Sequence, residues 1–273
     1  MNNVFSPKRF GKYFLYDLEN AKNNFGLTLL ILGLMPMILY AVFQLINLIF
    51  NRTLIINADG FIPARISSGI ICVAVATFAF GTKVYGSITD KRAGSSFLML
   101  PASTFEKWLS MVLMGCVVAP ICLSILYVGS DTIMGLLFPN SFGTPIVKMP
   151  FYDILAETEI PVDIKINYTG IAWGNWCWYM LFFTLGGIYF KKGKVGKSIL
   201  VMFFLTILTS LLFAAIVGHF ETDWVNDALL LNTIDEDPEV AIRKIIGLGK
   251  ALLYAQLVIL LGLSYLRLRT IKH

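Results

Sequence analysis

Charge is scarce in this 273-residue chain: charged residues make up 14%, against 57% hydrophobic and 14% aromatic. Water-soluble domains are about 25% charged and about 45–50% apolar, so an ordinary soluble globule is excluded. The mean hydropathy of +0.73 agrees. Disorder is excluded too, because disordered chains are poor in aromatics and rich in charge. Histidine is nearly missing: His219 and His273 have no second ligand at helical spacing, which removes a zinc-protease reading. Cysteine is limited to Cys72, Cys116, Cys122 and Cys177. All four fall in apolar runs, where they read as small core hydrophobes rather than a disulfide framework.

A complete phosphate loop is also lacking. Gly196-Lys197-Ser198 resembles the end of one, but the first glycine that the motif requires falls at Lys191. A membrane-length apolar run follows at once, so the chain is not expected to hydrolyse ATP. The acidic stretch Glu221, Asp223, Asp227, Asp235, Glu236, Asp237 and Glu239 has no glycine turn of a calcium loop and reads as a solvated loop. Neither metal nor cofactor is expected. Once six helices of ~20 residues are set aside, no stretch is left for a separate catalytic domain of ~100 residues, and the chain is not expected to be an enzyme.

What the sequence does contain is apolar runs of membrane length. Six are expected to span, at residues 25–50, 66–87, 108–129, 170–190, 197–218 and 246–266. Each reaches about 20 residues, enough for a ~30 Å hydrocarbon core at 1.5 Å per residue. Lipid cannot satisfy backbone polar groups, so such runs must be helical, and the missing period-two alternation disfavours a β-barrel. The expected fold is an all-α polytopic membrane protein: an N-terminal amphipathic interfacial helix over 1–24, then a six-span domain over 25–273. Ser6 and Pro7 make a helix start. Phe10, Phe14 and Leu18 then recur at helical spacing among Lys8, Arg9, Lys12 and Lys22, the pattern of a helix lying on a bilayer surface. A short soluble helix packed on the loops is the alternative.

Orientation follows from the basic residues. With the amino terminus inside, segments 1–25, 83–107, 191–197 and 267–273 hold 15 of the 22 basic residues and 4 of the 17 acidic ones. Basic residues favour the cytoplasmic side, so both termini are expected there. The ionisable residues Lys83, Asp131 and Lys250 sit near membrane faces, and snorkelling accounts for the lysines. Pro36 and Pro120 lie inside spans and offer kinks. Gly247, Ala251 and Ala255 lie four apart and permit a close helix–helix seam, within the chain or between subunits. Trp173, Trp176, Trp178 and Tyr179 suit an aromatic belt.

The inner loop at 89–107 stands out. Ser103 and Glu106 form a capping box that starts the third span, and Pro101 isolates it from the apolar run Phe97-Leu98-Met99-Leu100. That run either dips into the chain's own membrane interface or docks into a groove on a soluble partner. Lys91-Arg92, Phe97 to Ser103 and Phe105-Glu106-Lys107 resemble the first inner loop of ABC-transporter permease subunits, above all the type-2 exporter permeases of Bacteroidetes-type bacteria. The resemblance covers about twenty residues. It implies that Lys91, Arg92, Phe97, Leu100, Pro101, Ser103, Glu106 and Lys107 contact a separate ATPase subunit. It also implies a homodimer, or a heterodimer with another permease, in the bacterial inner membrane. Many members lack an outer loop as long as 139–169, a departure here. The rival expectation is an ATP-independent carrier, channel or immunity-type scaffold, whose residues 97–100 meet only lipid.

Overall fold

The computed structural model describes residues 5–50, 58–89, 94, 97, 99–148, 168–219 and 238–271. Helix dominates, and no strand occurs among the described residues. Helix α1 covers Pro7–Gly33 and α2 Met35–Phe50, joined at Leu34 with a 51° bend. Helix α3 covers Ala58–Lys83 and runs into a 3-10 turn, Gly86–Thr89. The third apolar run is a continuous rod made of α4 (Thr104–Leu113), a π turn (Met114–Val118) and α5 (Ala119–Leu137). A short α6 (Pro139–Phe142) follows. Then come α7 (Tyr168–Tyr189), α8 (Lys194–His219) and α9 (Pro238–Thr270).

Four of these rods are long and apolar enough to cross a bilayer: Phe61–Thr89, Thr104–Leu137, Lys194–Phe213 and Gly247–Thr270. The bent α1–α2 pair makes five if counted as one span. Helix α7, at the place of the fourth expected span, has the length at 22 residues but is less apolar than these four. Its tryptophans, tyrosines and Asn175 dilute the run, and its face from Met180 to Thr184 is buried in the middle of the bundle against α3, α8 and α9.

The amino-terminal boundary expected after residue 24 is not a break in structure. Position 24 lies inside α1, and the chain bends ten residues later, at Leu34, just ahead of buried Pro36. Proline lacks the N–H that would continue the ladder and its ring crowds the preceding turn, which accounts for the place of the bend. Pro120 acts differently. The turn before it widens to π geometry, with the Ala119 N–H bonded back to the Met114 carbonyl. The Gly115 carbonyl in this turn instead accepts from the Trp176 indole at 3.0 Å, so the defect is satisfied by a neighbouring helix.

Helices in lipid gain little from hydrophobicity and associate where small residues let backbones approach. At the α3–α7 crossing, a Cβ on Gly81 would stand 2.7 Å from the Phe183 backbone, and one on Gly187 would stand 2.6 Å from the Gly81 carbonyl oxygen. Only glycine fits either place. The expected seam on α9 behaves otherwise: Gly247, Ala251 and Ala255 are exposed, and a Cβ on Gly247 would meet nothing within 4 Å. That face is not used within the described chain.

Candidate functional site

The loop singled out in the sequence sits at the end of the bundle that carries Pro7, Tyr85, Thr104 and Lys194, called here the basic end. The capping box forms as expected. Ser103 Oγ accepts from the Glu106 N–H at 3.3 Å and Glu106 Oε2 accepts from the Ser103 N–H at 2.8 Å. Glu106 then does more than its sequence position suggests. Its Oε1 accepts from the Ser6 N–H at 2.9 Å, and Arg9 donates to both oxygens, through Nε and Nη2, at 2.7 Å each. One fully buried carboxylate therefore closes the N-termini of both α1 and α4, where exposed N–H groups favour negative charge.

Lys107 also turns inward. Its ammonium donates to the Phe97 carbonyl at 2.6 Å and stands 4.7 Å from the centre of the Phe97 ring. Phe97 in turn packs against the main core cluster. Of the residues expected to meet a partner, Glu106 and Lys107 are turned inward, 0% and 7% exposed, and Phe97 is half-buried. Their hydrogen bonds are made within the chain. Leu100 and Ser103 are half-buried and Pro101 is exposed. Among the described residues, the apolar surface open at this loop is Met99, 79% exposed, and Phe105, 41% exposed, with Phe5 edge-on to Phe105 at 6.0 Å between ring centres. Lys91 and Arg92 lie outside the described residues, as do most of the expected outer loops.

A residue that pattern reading passed over anchors the same end. Asp17 is 3% exposed and accepts from the Tyr85 hydroxyl at 2.7 Å and the Ser110 hydroxyl at 2.6 Å. It thus joins α1 to the end of α3 and to α4. The buried stripe of α1 runs through Tyr13, Asp17, Ala21 and Phe25, so the apolar face expected at Phe10, Phe14 and Leu18 is turned about one position from the packed one. Phe10 and Phe14 are half-buried and Leu18 is 38% exposed. An aspartate at the centre of a helix interface has no periodicity signal, because a pattern of apolar spacing assigns acids to the outside. Lys194 adds a further tie by donating to the Gly86 carbonyl.

The opposite end holds a second polar cluster. Arg65 and Asp131 are both 0% exposed and pair through Nε and Nη2 at 2.6–2.9 Å. Arg65 Nη1 donates to the carbonyls of Phe142 and Thr144 at 3.1 Å each, while Asp131 Oδ2 accepts from the Ile146 N–H at 2.8 Å. The guanidinium also lies 4.2 Å from the Phe142 ring centre. This pair staples the segment 138–148 over the ends of α3 and α5. Asp131 stands out in the sequence as an ionisable residue near a membrane face; its partner Arg65, sixty-six residues away, carries no such signal.

Among the other sequence candidates, Lys83 donates to Thr28 Oγ1 at 2.6 Å. Trp176 is buried and bonded to the π turn, Trp178 is half-buried, and Trp173 and Tyr179 are 44% and 40% exposed, so the expected belt divides into one internal, one half-buried and two outward residues. No group of three or more metal-binding side chains occurs among the described residues. Comparison with family models, with curated proteins and with solved structures finds no match for this chain.

Proposed function

We propose that the chain is the membrane-spanning permease subunit of an ABC-type exporter, driven by a separate ATPase subunit that docks on the inner loop 89–107. The observation that carries this reading is Met99: a large apolar side chain, 79% exposed, held out on a loop whose neighbours Phe97, Ser103, Glu106 and Lys107 are tied down. The resemblance of that loop to permease inner loops supports the same reading. In it, Met99, Pro101 and Phe105 make the contact, while Glu106 and Lys107 hold the loop and Lys91 and Arg92 supply the basic flank. The α1–α2 pair and α7 complete six spans. The basic end faces the cytoplasm of a bacterial inner membrane, following the distribution of lysine and arginine.

Nucleotide-driven closure of two ATPase subunits pushes such a loop only if they bind two permease states with different affinity. The Glu106–Arg9 contact passes that push to α1, and the bends at Leu34 and at the π turn are where the rods yield. The permease pairs with a second copy or a relative, and the unused small-residue face of α9 at Gly247, Ala251 and Ala255 suits that contact. Export rather than import rests on the resemblance alone.

The test is affinity purification of the tagged chain in mild detergent from its native host. The expected result is co-purification of a separately encoded protein with a phosphate loop. Its recovery should fall about tenfold in Met99→Asp, the scale on which one anchor residue contributes to an interface. Transport that persists with no ATPase ever associated overturns the proposal in favour of an ATP-independent carrier or channel.

A further inference from the structure

A half-open cleft of about 310 Å³ runs between α1 and the rod α4–α5. Leu18, Phe25 and Leu29 line one side, Val118 and Cys122 the other, with Phe80 among the wall residues. Such a volume lies at the low end of ligand-sized pockets, about 300–1,000 Å³. Three observations set this cleft apart from the general lipid-facing surface of the bundle.

First, its α1 wall extends from Leu18 to Leu29, about 16 Å at 1.5 Å per residue. That is the shape of a slot for an extended chain rather than a compact ligand. Second, the opposite wall is formed at the π turn, where Met114 and Val118 border the cleft. Single π turns of this kind recur at functional sites. Third, the wall carries one charge, Lys22, which has no hydrogen bond or ion pair among the described residues. Lys22 lies one turn from Leu18, the limit of that wall nearest the basic end, and its stem lies beside Gly26 along the apolar wall. Gly26, next along the same wall, leaves the slot open: a Cβ there would meet only Lys22 Cγ, at 3.7 Å.

We infer that this cleft holds one anionic phospholipid, with an acyl chain along Phe25 and Leu29 and its phosphate against Lys22. An apolar slot that carries a single unpaired cation on its wall is complementary to an amphiphile with a negative head. A zwitterionic lipid offers the same chain but a compensated charge. The site does not depend on docking of an ATPase at the loop 89–107, and it stands or falls separately from that proposal.

The experiment is native mass spectrometry of the purified full chain after delipidation and exchange into mixed micelles. The micelles contain either phosphatidylglycerol or phosphatidylcholine with identical acyl chains. The wild-type protein should retain one phosphatidylglycerol in preference to phosphatidylcholine. Lys22→Gln should reduce that preference about fivefold, the worth of about one lysine against an anionic headgroup, while Lys12→Gln leaves it unchanged. Gly26→Leu should abolish retention of either lipid by filling the slot, with thermal unfolding in lipid-free detergent unchanged. Should that variant fail to fold, the Lys22→Gln comparison still decides the question. Equal retention of the two lipids by the wild type, or a phosphatidylglycerol preference that survives Lys22→Gln, overturns the assignment. So does undiminished retention by a folded Gly26→Leu.

Discussion

At each end of the helical bundle an arginine meets a buried carboxylate, and the two pairs are finished differently. Arg65 and Asp131 are both 0% exposed, and the arginine spends its remaining donor on backbone carbonyls of the segment that covers it. At the basic end Glu106 is 0% exposed, but the Arg9 side chain is 31% exposed. An arginine cut off from water cannot leave its partner without stranding a charge, which is costly in low dielectric. Arg9, already part-hydrated, can turn to water when its pair is broken, so the cost there falls on the buried Glu106 alone. The contrast separates the two ends: a break strands both partners at the Arg65 end, but only Glu106 at the end that carries the exposed Met99.

The largest effect that can break this contrast is at Asp131. Asp131→Ala leaves Arg65 buried without its counter-charge and should cost about 3–5 kcal/mol, read as a lowered unfolding midpoint in detergent. The double variant Arg65→Met, Asp131→Leu should recover much of that loss, because replacing both partners removes the uncompensated charge. A double variant no better than the single one sinks the stranded-charge account.

An intermediate effect is expected at Asp17. Asp17→Ala deprives the Tyr85 and Ser110 hydroxyls of their acceptor and should cost about 1–3 kcal/mol by the same measurement. The smallest global effect is expected at Glu106. Glu106→Gln keeps one side-chain oxygen, so one of the two helix starts, at Ser6 or Ser103, keeps its acceptor while the charge that Arg9 meets is lost. Its unfolding midpoint should fall well short of the Asp131→Ala shift, while amide hydrogen exchange over residues 6–13 speeds up. A drop as large as that for Asp131 would mean that both ends are equally fixed.

Local chemistry made some of this legible in advance. The start of α1 at Pro7 and the Ser103–Glu106 box follow from residues within four positions of one another. The bend near Pro36 and the distorted turn before Pro120 follow from a missing N–H. The inner loop was visible because an apolar tetrad before a proline is out of place among charges. Its orientation was not, since the same tetrad can face outward or inward: Met99 went out and Phe97 went in, pinned by Lys107. Asp17 and Arg65 were illegible for a related reason. Their burial depends on a carboxylate, hydroxyls and carbonyls that lie 66 to 93 residues away in the sequence.

By itself, then, the sequence determined that the chain is helical and apolar enough for a bilayer, and where its helices start and bend. Those properties arise from backbone hydrogen bonding and side-chain hydropathy within a turn or two. Only the tertiary structure decided which charges are locked, which helix face is left unused and which side chains stand out at the basic end. Those outcomes hang on partners brought together across helices, and no rule of spacing along one helix contains them.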